Sequence, residues 1–437
     1  MTTLKTKVKL PDVNSQGKIT ANNIDKITND DGSIKVGSIT VTPNEVDDTT
    51  GEDGDCYIKY TPKPDTYGVK IEISNSSPDG AVTYIEGAEG MEPGWDNWKD
   101  HELFKDIRPC VLKDGVVQYY LQRDDYTKKE DGRASTLNGS DGDVMVEIPK
   151  MGYKMTTDGT YHYISVTKTP NKKGYCYLAH SKETEGDCDY IYVGAYLGLK
   201  AGTEEGSIIK YKLYSIADTS PTTSETLTKF RTYATNKGDG YELFSFYPLT
   251  LLQCLFLLIY KNRNSQSALG RGYTGSSSSI NTGTTKSETF CYGSTSDGNN
   301  VKFLGIEDFW GNCFCWIDGI FNDVSRKLYT YYKNFTNTDN GTSPDYTLDA
   351  GISSNISGHI LNIVGTNNGG FILNSGSGSS STYYCDFGSL FASCCAVFGG
   401  DWNNGAYAGV FALNFNYSAS FSSSFIAARL LYKHLAS

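Results

Sequence analysis

Short stretches in which apolar and polar residues alternate recur along the chain. They predict β-strands, because alternation sends every second side chain to the same face of a strand. Stretches of this kind lie at residues 34–41, 69–73, 81–85, 143–150, 161–167 and 189–194. Residues 110–112 and 116–121 flank the turn sequence Lys-Asp-Gly and predict a hairpin. The first half of the chain is therefore expected to be rich in strands.

Two segments carry helical signals instead. Residues 224–234 begin with Ser224, a residue type that caps helix N-termini, and Pro248 opens an apolar helix that ends near Lys261. The apolar helix is too short to span a bilayer and contains Gln253, so we expect it to be buried in the protein. After Asn264 the chain turns into Gly/Ser-rich loops broken by short strands. This order of strands, two helices and late strands predicts an α+β fold.

The polarity of the chain divides it into three parts. Residues 1–60 are too low in hydrophobicity to form a domain alone, which indicates a segment that attaches to another protein or oligomerises. Residues 61–106 predict a small β-rich region, and residues 107–437 predict a ligand-binding domain with long irregular loops. Loops of that length are either functional or disordered, and their aromatic content favours ordered, functional loops.

Composition and charge argue against several classes of partner. The chain has 437 residues, a formal net charge of −11 and no run of Lys or Arg, so nucleic acid is not an expected partner. The N-terminus lacks the apolar core of a signal peptide, and insertion into a membrane is not expected. The 11 cysteines are scattered without the spacing of a zinc site, which favours buried, reduced thiols and predicts no metal and no cofactor.

Residues 399–429 have the most unusual composition. They read GGDWNNGAYAGVFALNFNYSASFSSSFIAAR and hold no charged residue between Asp401 and Arg429. Rigid aromatic residues mixed with small polar ones are typical of antibody-like binding surfaces. Asn, Tyr, Ser, Phe, Asp, Ala and Ile are also among the residue types that result when the adenines of an AAC codon are replaced. A Ser/Asn-rich surface loop is the simpler interpretation, but the rigid residues at both ends favour a framed variable segment.

Within this segment we predict a set of ligand contacts, with the aromatic members exposed as a binding hot spot. They are Asp401, Asn404, Tyr407, Ala412, Asn414, Asn416, Tyr417, Ser420, Phe421, Ser423 and Phe425. Alternation along a strand would send Phe411, Leu413 and Phe415 into the core. Three tryptophans are also expected in the core: Trp310, Trp316 and Trp402.

Carboxylates elsewhere in the chain have two interpretations. Glu307, Asp308 and Asp318 could bind calcium, or they cap turns and pair with Arg or backbone amides, which is the simpler interpretation. Asp386 and Asp401 could be imagined as the two acids of a glycosidase, but no surrounding motif supports that role. No Ser-His-Asp order, HExxH or phosphate-binding loop appears, so no catalytic residue is predicted.

Trp95 and Trp98 lie close together in a segment expected to be a short loop. A sugar-stacking platform and packing between domains are both open for this pair, and packing is the simpler interpretation.

Three segments together resemble one family. Residues 305–319 (GIEDFWGNCFCWIDG) are similar to the G-x-E-x-x-G-N-x-x-E-W-x-D-G core of C-type-lectin-like domains of the formylglycine-generating-enzyme type. Residues 398–402 (FGGDW) resemble the R-G-G-S-W strand of that family, and residues 426–429 (IAAR) its V-A-A-R end. Residues 143–150 with 265–270 resemble the versions found in phage tail proteins, and the Asn-rich insert resembles the variable region of diversity-generating-retroelement target proteins.

The resemblance spans roughly residues 67–437 and implies a C-type-lectin-like scaffold that displays diversified side chains from a fixed frame. Two departures from the family matter. The oxidase branch carries a copper-binding cysteine pair, and the equivalent positions here are Asn404 and Gly409, which leaves no thiol for the metal. The Glu that is usual in W-E-W is replaced by Cys315, which weakens the case for any family cation site there.

The sequence therefore predicts a non-enzymatic phage tail receptor-binding protein, located in the virion and assembled in the host cytoplasm. Its expected partners are a bacterial surface receptor, either glycan or protein, and tail or baseplate proteins. A homo-oligomer is expected, with a trimer as one form. The alternatives are a relative of the formylglycine-generating oxidase, a structural tail protein that binds nothing on the host, and a cellular diversified adhesin.

Overall fold

The computed structural model describes residues 39–42, 56–59, 64–205, 208–295, 299–333, 347–348 and 351–435. The chain divides into two compact units, Met1–Pro64 and Asp65–Ser437. In the first unit, strands β1 (Ile39–Thr42) and β2 (Cys56–Lys59) pair in parallel. The strand predicted at residues 34–41 is found at its C-terminal end, and most of the predicted attachment segment lies outside the described residues.

The second unit is mostly β-sheet with few helices. Its strands before the long helix are β3 Tyr67–Glu72, β4 Val82–Glu86, β5 Arg108–Lys113, β6 Val116–Gln122, β7 Asp125–Lys129, β8 Asp143–Pro149, β9 Gly152–Thr157, β10 Tyr161–Thr167, β11 Cys188–Gly194, β12 Leu199–Glu205, β13 Ile208–Tyr214 and β14 Tyr241–Leu243. Those after it, to residue 375, are β15 Lys302–Phe303, β16 Ile306–Glu307, β17 Phe314–Asn322, β18 Leu328–Thr330, β19 Thr347–Leu348, β20 Ile356–His359, β21 Asn362–Thr366 and β22 Gly369–Ser375. The last are β23 Phe387–Leu390, β24 Cys395–Phe398, β25 Leu413–Tyr417, β26 Ile426–Ala427 and β27 Leu430–Leu435.

The α-helices among the described residues are α1 Trp95–Trp98, α2 Leu227–Thr235, α3 Phe246–Tyr260 and α4 Ser265–Ala268. The two long helices confirm the sequence prediction with shifted starts. Thr226 caps α2 by accepting from the Lys229 backbone N–H, two residues after the predicted cap. Every residue of α3 except the last is buried, which is why it is apolar on all sides. Trp95 and Trp98, expected in a loop, form the single turn of α1, and Trp98 is fully buried.

Two antiparallel sheets form from the strands before the long helix together with β27, the last strand of the chain. One has the order β4-β3-β10-β9, and the other has the order β14-β27-β11-β8-β5-β6-β7. The predicted hairpin is present as β5 and β6. Because β3 and β4 pair in one sheet with β9 and β10, residues 65–106 lie in the second unit together with the strands that follow them. The division of the chain at residue 106 stays a prediction.

The second half of the unit builds an eight-stranded sheet. Its order is β19-β18-β17-β24-β25-β23-β20, and β26 pairs with β17 off this path. β25 lies antiparallel to β24 and parallel to β23, so these three consecutive strands are neighbours in the sheet. The strand β20 closes one edge.

The strand registers place one row of paired apolar residues across the inner face of this sheet. The row consists of Ile356, Leu390, Phe415, Ala396 and Ile317, from five neighbouring strands. All five belong to, or pack against, the large hydrophobic core that also contains α3. The inward placement predicted for Phe411, Leu413 and Phe415 is confirmed, since all three are buried in that core.

A buried histidine gives this core a defined pH dependence. His180 ends the short 3-10 helix Leu178–His180, is fully buried, and has its Nε2 3.3 Å from the carbonyl oxygen of Ile148. Burial lowers the pKa of His180 to about 3. The folded pKa is thus below that of the unfolded chain, so stability is complete above about pH 6.5 and is lost as the pH falls from there towards 3.

We expect this one group to lower the free energy of unfolding by about 2 kcal/mol between pH 7 and pH 5. His180→Gln should flatten the dependence by that amount, which urea denaturation at the two pH values measures. The exposed His434 provides the matched control, because His434→Gln should keep the wild-type slope. Equal slopes in wild type and His180→Gln would contradict the assignment.

Candidate ligand-binding face

The opposite side of the eight-stranded sheet carries a second row of paired residues, and we call this side the outer face. The row consists of Ser357, Ser389, Asn414, Val397 and Trp316, one position along from the inner row. It changes from polar at the β20 edge to apolar at β17, and the Ser389 hydroxyl donates to the Asn414 side-chain oxygen over 3.0 Å. Only Ser357 is exposed, so the accessible surface is made by side chains packed over the row.

Over the apolar end lies the loop cluster, which consists of Tyr417, Phe421 and Phe425. The Tyr417 and Phe421 rings stack with centroids 4.2 Å apart and planes 9° apart. Phe425 stands 6.0 Å from Tyr417 and 6.3 Å from the Phe314 ring of β17. All three are half-buried against the group of core residues that contains Trp316. They were predicted to be exposed contacts, but each presents only part of its ring to solvent because the rest packs on the sheet.

At the polar end lies the edge cluster, which consists of His359, Phe387 and Tyr407. The Tyr407 ring is 4.7 Å from that of Phe387 and 5.2 Å from that of His359. Tyr407 is 50% exposed, and Phe387 and His359 are half-buried. The predicted exposure of Tyr407 is therefore confirmed. Its two neighbours come from strands outside the variable segment.

The loop that carries Tyr407 is fixed by hydrogen bonds to its main-chain atoms. The Gln266 side-chain amide donates to the carbonyl oxygens of Gly405 and Ala408, at 2.8 and 2.7 Å. Gln253 of α3 donates to the Val410 carbonyl at 2.8 Å, and its position inside a buried helix is thereby explained. The Asp386 carboxylate accepts from the Phe411 N–H at 2.7 Å. These bonds fix the backbone without using any side chain of residues 403–408.

Asp401 and Asn404 shape the turn before the 3-10 helix Gly405–Tyr407. The Asp401 carboxylate accepts from the Asn403 N–H at 2.8 Å, and the Asn404 side-chain oxygen accepts from the Asp401 N–H at 3.3 Å. Burial raises the pKa of Asp401. Burial raises the pKa of Tyr417, and the Asp401 carboxylate raises it further.

The burial of two other predicted contacts is a correction. Ala412 is fully buried, and Asn414 is 5% exposed in the outer row. Neither side chain is accessible to a ligand. Residues 410–415 are all buried, so the expected alternation of buried and exposed side chains is absent there. Asp401, at 7% exposed, is also mostly covered.

The remaining predicted contacts are polar. Asn416 lies at the register shift of β25 and is half-buried, and its side-chain oxygen has no hydrogen-bond partner among the described residues. Ser420 is exposed with its hydroxyl 3.1 Å from that of Ser418, and Ser423 is half-buried. These positions stay predicted contacts.

Carboxylates outside the face have partners that explain them. Glu307 accepts from the N–H groups of Gly283 and Thr285, both at 2.6 Å. Asp318 forms a buried bidentate pair with Arg231, with both bonds at 2.7 Å. These contacts follow the simpler of the two sequence interpretations, in which turns and ion pairs use the carboxylates. Within the described parts of the chain, no group of three or more His, Cys, Asp or Glu is arranged to hold a metal ion.

The sequence did not single out the fixed residues of the edge cluster. His359 and Phe387 pair directly across β20 and β23 and come next to Tyr407 only through that pairing. Gln266 lies in the 265–270 segment that resembles phage tail proteins, which was the one available signal for it.

No protein-family model matches the chain, and no curated protein matches it. Among solved structures, it is similar to the Major Tropism Determinant U1 variant at 12% identity and a TM-score of 0.27, with 86% of this chain and 74% of that chain covered. The P3c variant gives 13% identity and a TM-score of 0.26 over the same shares. PvdO from Pseudomonas aeruginosa gives 12% identity and 0.27, covering 68% of this chain and 96% of that one.

The tryptophans of the site differ in burial, which predicts a difference in stability. Trp316 is fully buried, whereas Trp402, expected in the core, is half-buried against Leu197, Cys313 and Ala427. Trp316→Ala should lower the free energy of unfolding by roughly 3–5 kcal/mol, and Trp402→Ala by clearly less. Denaturant unfolding of the two variants measures both losses, and a larger loss for Trp402→Ala would contradict the packing described.

Proposed function

We propose that the chain is a phage tail receptor-binding protein with a C-type-lectin-like domain, and that it binds a bacterial surface molecule through the outer face of the eight-stranded sheet. One observation carries the proposal: the aromatic residues singled out from the sequence gather over a single sheet face. Tyr407 stands in the edge cluster, and Tyr417, Phe421 and Phe425 form the loop cluster. Partly exposed aromatic rings beside Asn and Ser side chains are typical of binding surfaces.

The proposed action is adhesion without chemical turnover. Asp401, the one carboxylate of the predicted contact set, is mostly covered and holds a turn, as its bond to Asn403 indicates. Cys315, at the position of the usual family Glu, is buried, and burial raises its pKa to about 11. A thiol with so high a pKa is a poor nucleophile at neutral pH.

Among the described residues, no helix is long and apolar enough to cross a membrane.

The first unit, residues 1–64, would attach the domain to the tail or baseplate and join several copies. Several copies on one virion raise the overall affinity through effective concentration. A diversified site that binds weakly in a single copy then suffices for adhesion.

Tyr407 separates binding from stability better than the other predicted aromatic contacts, because it is the most exposed of them and its loop is fixed by hydrogen bonds to main-chain atoms. Tyr407→Ala should lower cell binding by at least about tenfold, the loss expected at a hot spot. Its melting temperature should stay close to that of wild type. Flow cytometry of the labelled full chain on a panel of bacterial strains measures the binding, and thermal unfolding measures the stability.

Tyr190 supplies the matched control, since it is an exposed tyrosine on β11, outside the eight-stranded sheet. Tyr190→Ala should bind as wild type does. A Tyr407→Ala variant that is folded and binds normally would contradict the proposal that the outer face binds the receptor. Phe421→Ala should lose both binding and stability, because its ring stacks on Tyr417.

The DNA beside the gene tests diversification independently. We expect a near-copy of codons 399–429, close to a reverse transcriptase gene, whose mismatches fall only at adenines. Codon 412 should be identical in the gene and in the near-copy, because a larger side chain at the fully buried Ala412 would overpack the core. Absence of the copy would leave a receptor-binding protein with a fixed site, and mismatches concentrated at buried codons would contradict the outward display.

A further inference from the structure

The edge cluster combines variable and fixed components. Tyr407 belongs to the segment proposed to vary, whereas His359 of β20 and Phe387 of β23 lie outside it. The three rings contact one another at 4.7, 5.2 and 5.9 Å between centroids. Ser357 points to the same side two residues before His359 and has an exposed hydroxyl. A ligand at this edge therefore meets the fixed residues whatever residue occupies position 407.

The hydrogen bonding of His359 fixes what its ring offers to a ligand. Nδ1 lies 2.6 Å from the carbonyl oxygen of Cys385. A carbonyl only accepts, so Nδ1 carries the proton and donates. In the neutral ring Nε2 is then an acceptor. Nε2 has no partner among the residues that the structure describes and is not enclosed, so it accepts from a ligand hydroxyl or N–H.

Residues 402–428, which carry Tyr407 and the loop cluster, contain no charged residue, although the chain as a whole is acidic. The net charge of the chain is −11, yet no charged residue lies between Asp401 and Arg429. Asp401 is mostly buried, and Arg429 is buried and donates to the carbonyl oxygens of Gly194 and Glu307 at 2.8 and 2.7 Å. This segment therefore offers an anionic ligand no cation; Arg271 lines the neighbouring cavity with Cys385 and Ala406, and the protein as a whole is negatively charged.

The exposed apolar area at the edge is small. In the edge cluster and directly after β23, Tyr407 at 50% and Phe391 at 37% are the large apolar side chains that stand out as exposed, whereas Val324, at 76%, lies in the loop between β17 and β18. A standard protein interface covers about 800 Å² on each partner, with an apolar centre. Two such side chains supply much less than that, which favours a small ligand with one apolar face and hydroxyl groups at its rim.

The geometry points to a binding subsite for an uncharged sugar residue at the edge cluster. The apolar face of the sugar ring packs on the Tyr407 and Phe387 rings, and a sugar hydroxyl donates to Nε2 of His359 beside the Ser357 hydroxyl. His359, Phe387 and Ser357 thus form the constant part of the site, and position 407 adjusts its selectivity. The inference rests on the proposed function and adds the class of receptor.

Pretreated cells test the class of receptor. Strains that bind the labelled full chain are oxidised with periodate, which cleaves vicinal diols, or digested with protease, and binding is repeated from 50 to 500 mM NaCl. We expect periodate to abolish binding, protease to leave it intact, and salt to change it by less than about twofold, since no charges pair at the site. Loss after protease alone would indicate a protein receptor, and a steep fall with salt would indicate an anionic one; either result overturns the inference.

Variants test the fixed residues. His359→Phe keeps a ring but removes the acceptor, and it should weaken binding roughly five- to tenfold, the range of one hydrogen bond. His434→Phe, on β27 of another sheet, is the control and should bind normally. Ser357→Arg, at an exposed position, should block the subsite even if His359→Phe folds poorly. Wild-type binding by both folded variants would overturn the subsite, whereas failure of every strain to bind the wild-type chain would remove the proposed function and this inference together.

Discussion

The register of β25 between its two neighbours is the constraint on which the rest of the outer face depends. Phe415 pairs with Ala396 on the core side, and Asn414 pairs with Val397 on the outer side. A slip of one residue would exchange the two sides, placing amides in the core and phenylalanine rings outside it. The bulge beside Cys395 then lets Tyr417 turn outwards over the sheet. The apolar inner row resists the slip, so the core determines which residues reach the ligand.

The loop that follows β24 obeys a second constraint, because its path is set by contacts to its main chain. Gln266, Gln253 and Asp386 bond to backbone atoms between residues 405 and 411. At Gly409 a Cβ would lie 2.1 Å from an oxygen of Asp386, so that position requires glycine. Exchanging the side chain at 407 breaks none of these bonds. A backbone that is already ordered costs little further entropy on binding, whichever side chain it displays.

The local sequence pattern predicted the early strands, the hairpin and the two long helices. These elements depend on the periodicity of apolar residues and on turn-forming residues, which involve only a few neighbouring positions. It also placed Phe411, Leu413 and Phe415 in the core, since alternation is a local property. The local pattern could not identify His359 or Phe387, because these residues come close to Tyr407 only through the pairing of β20 with β23. Ala412 and Asn414 were predicted as contacts because residue type suggested variability, whereas burial depends on what packs over both sides of β25.

The charge distribution limits how such a protein can find its ligand. A chain of net charge −11 gains no electrostatic attraction towards an anionic surface, and residues 402–428 contain no charged residue that would add steering of their own. Association then proceeds at the ordinary rate of an unsteered encounter, and affinity depends on slow dissociation. Short-range contacts of a few half-exposed rings such as Tyr407 and Phe421 supply only part of the required affinity. Joining several copies through the first unit would supply the remainder by rebinding, so a modest, exchangeable site and an oligomeric attachment are complementary requirements.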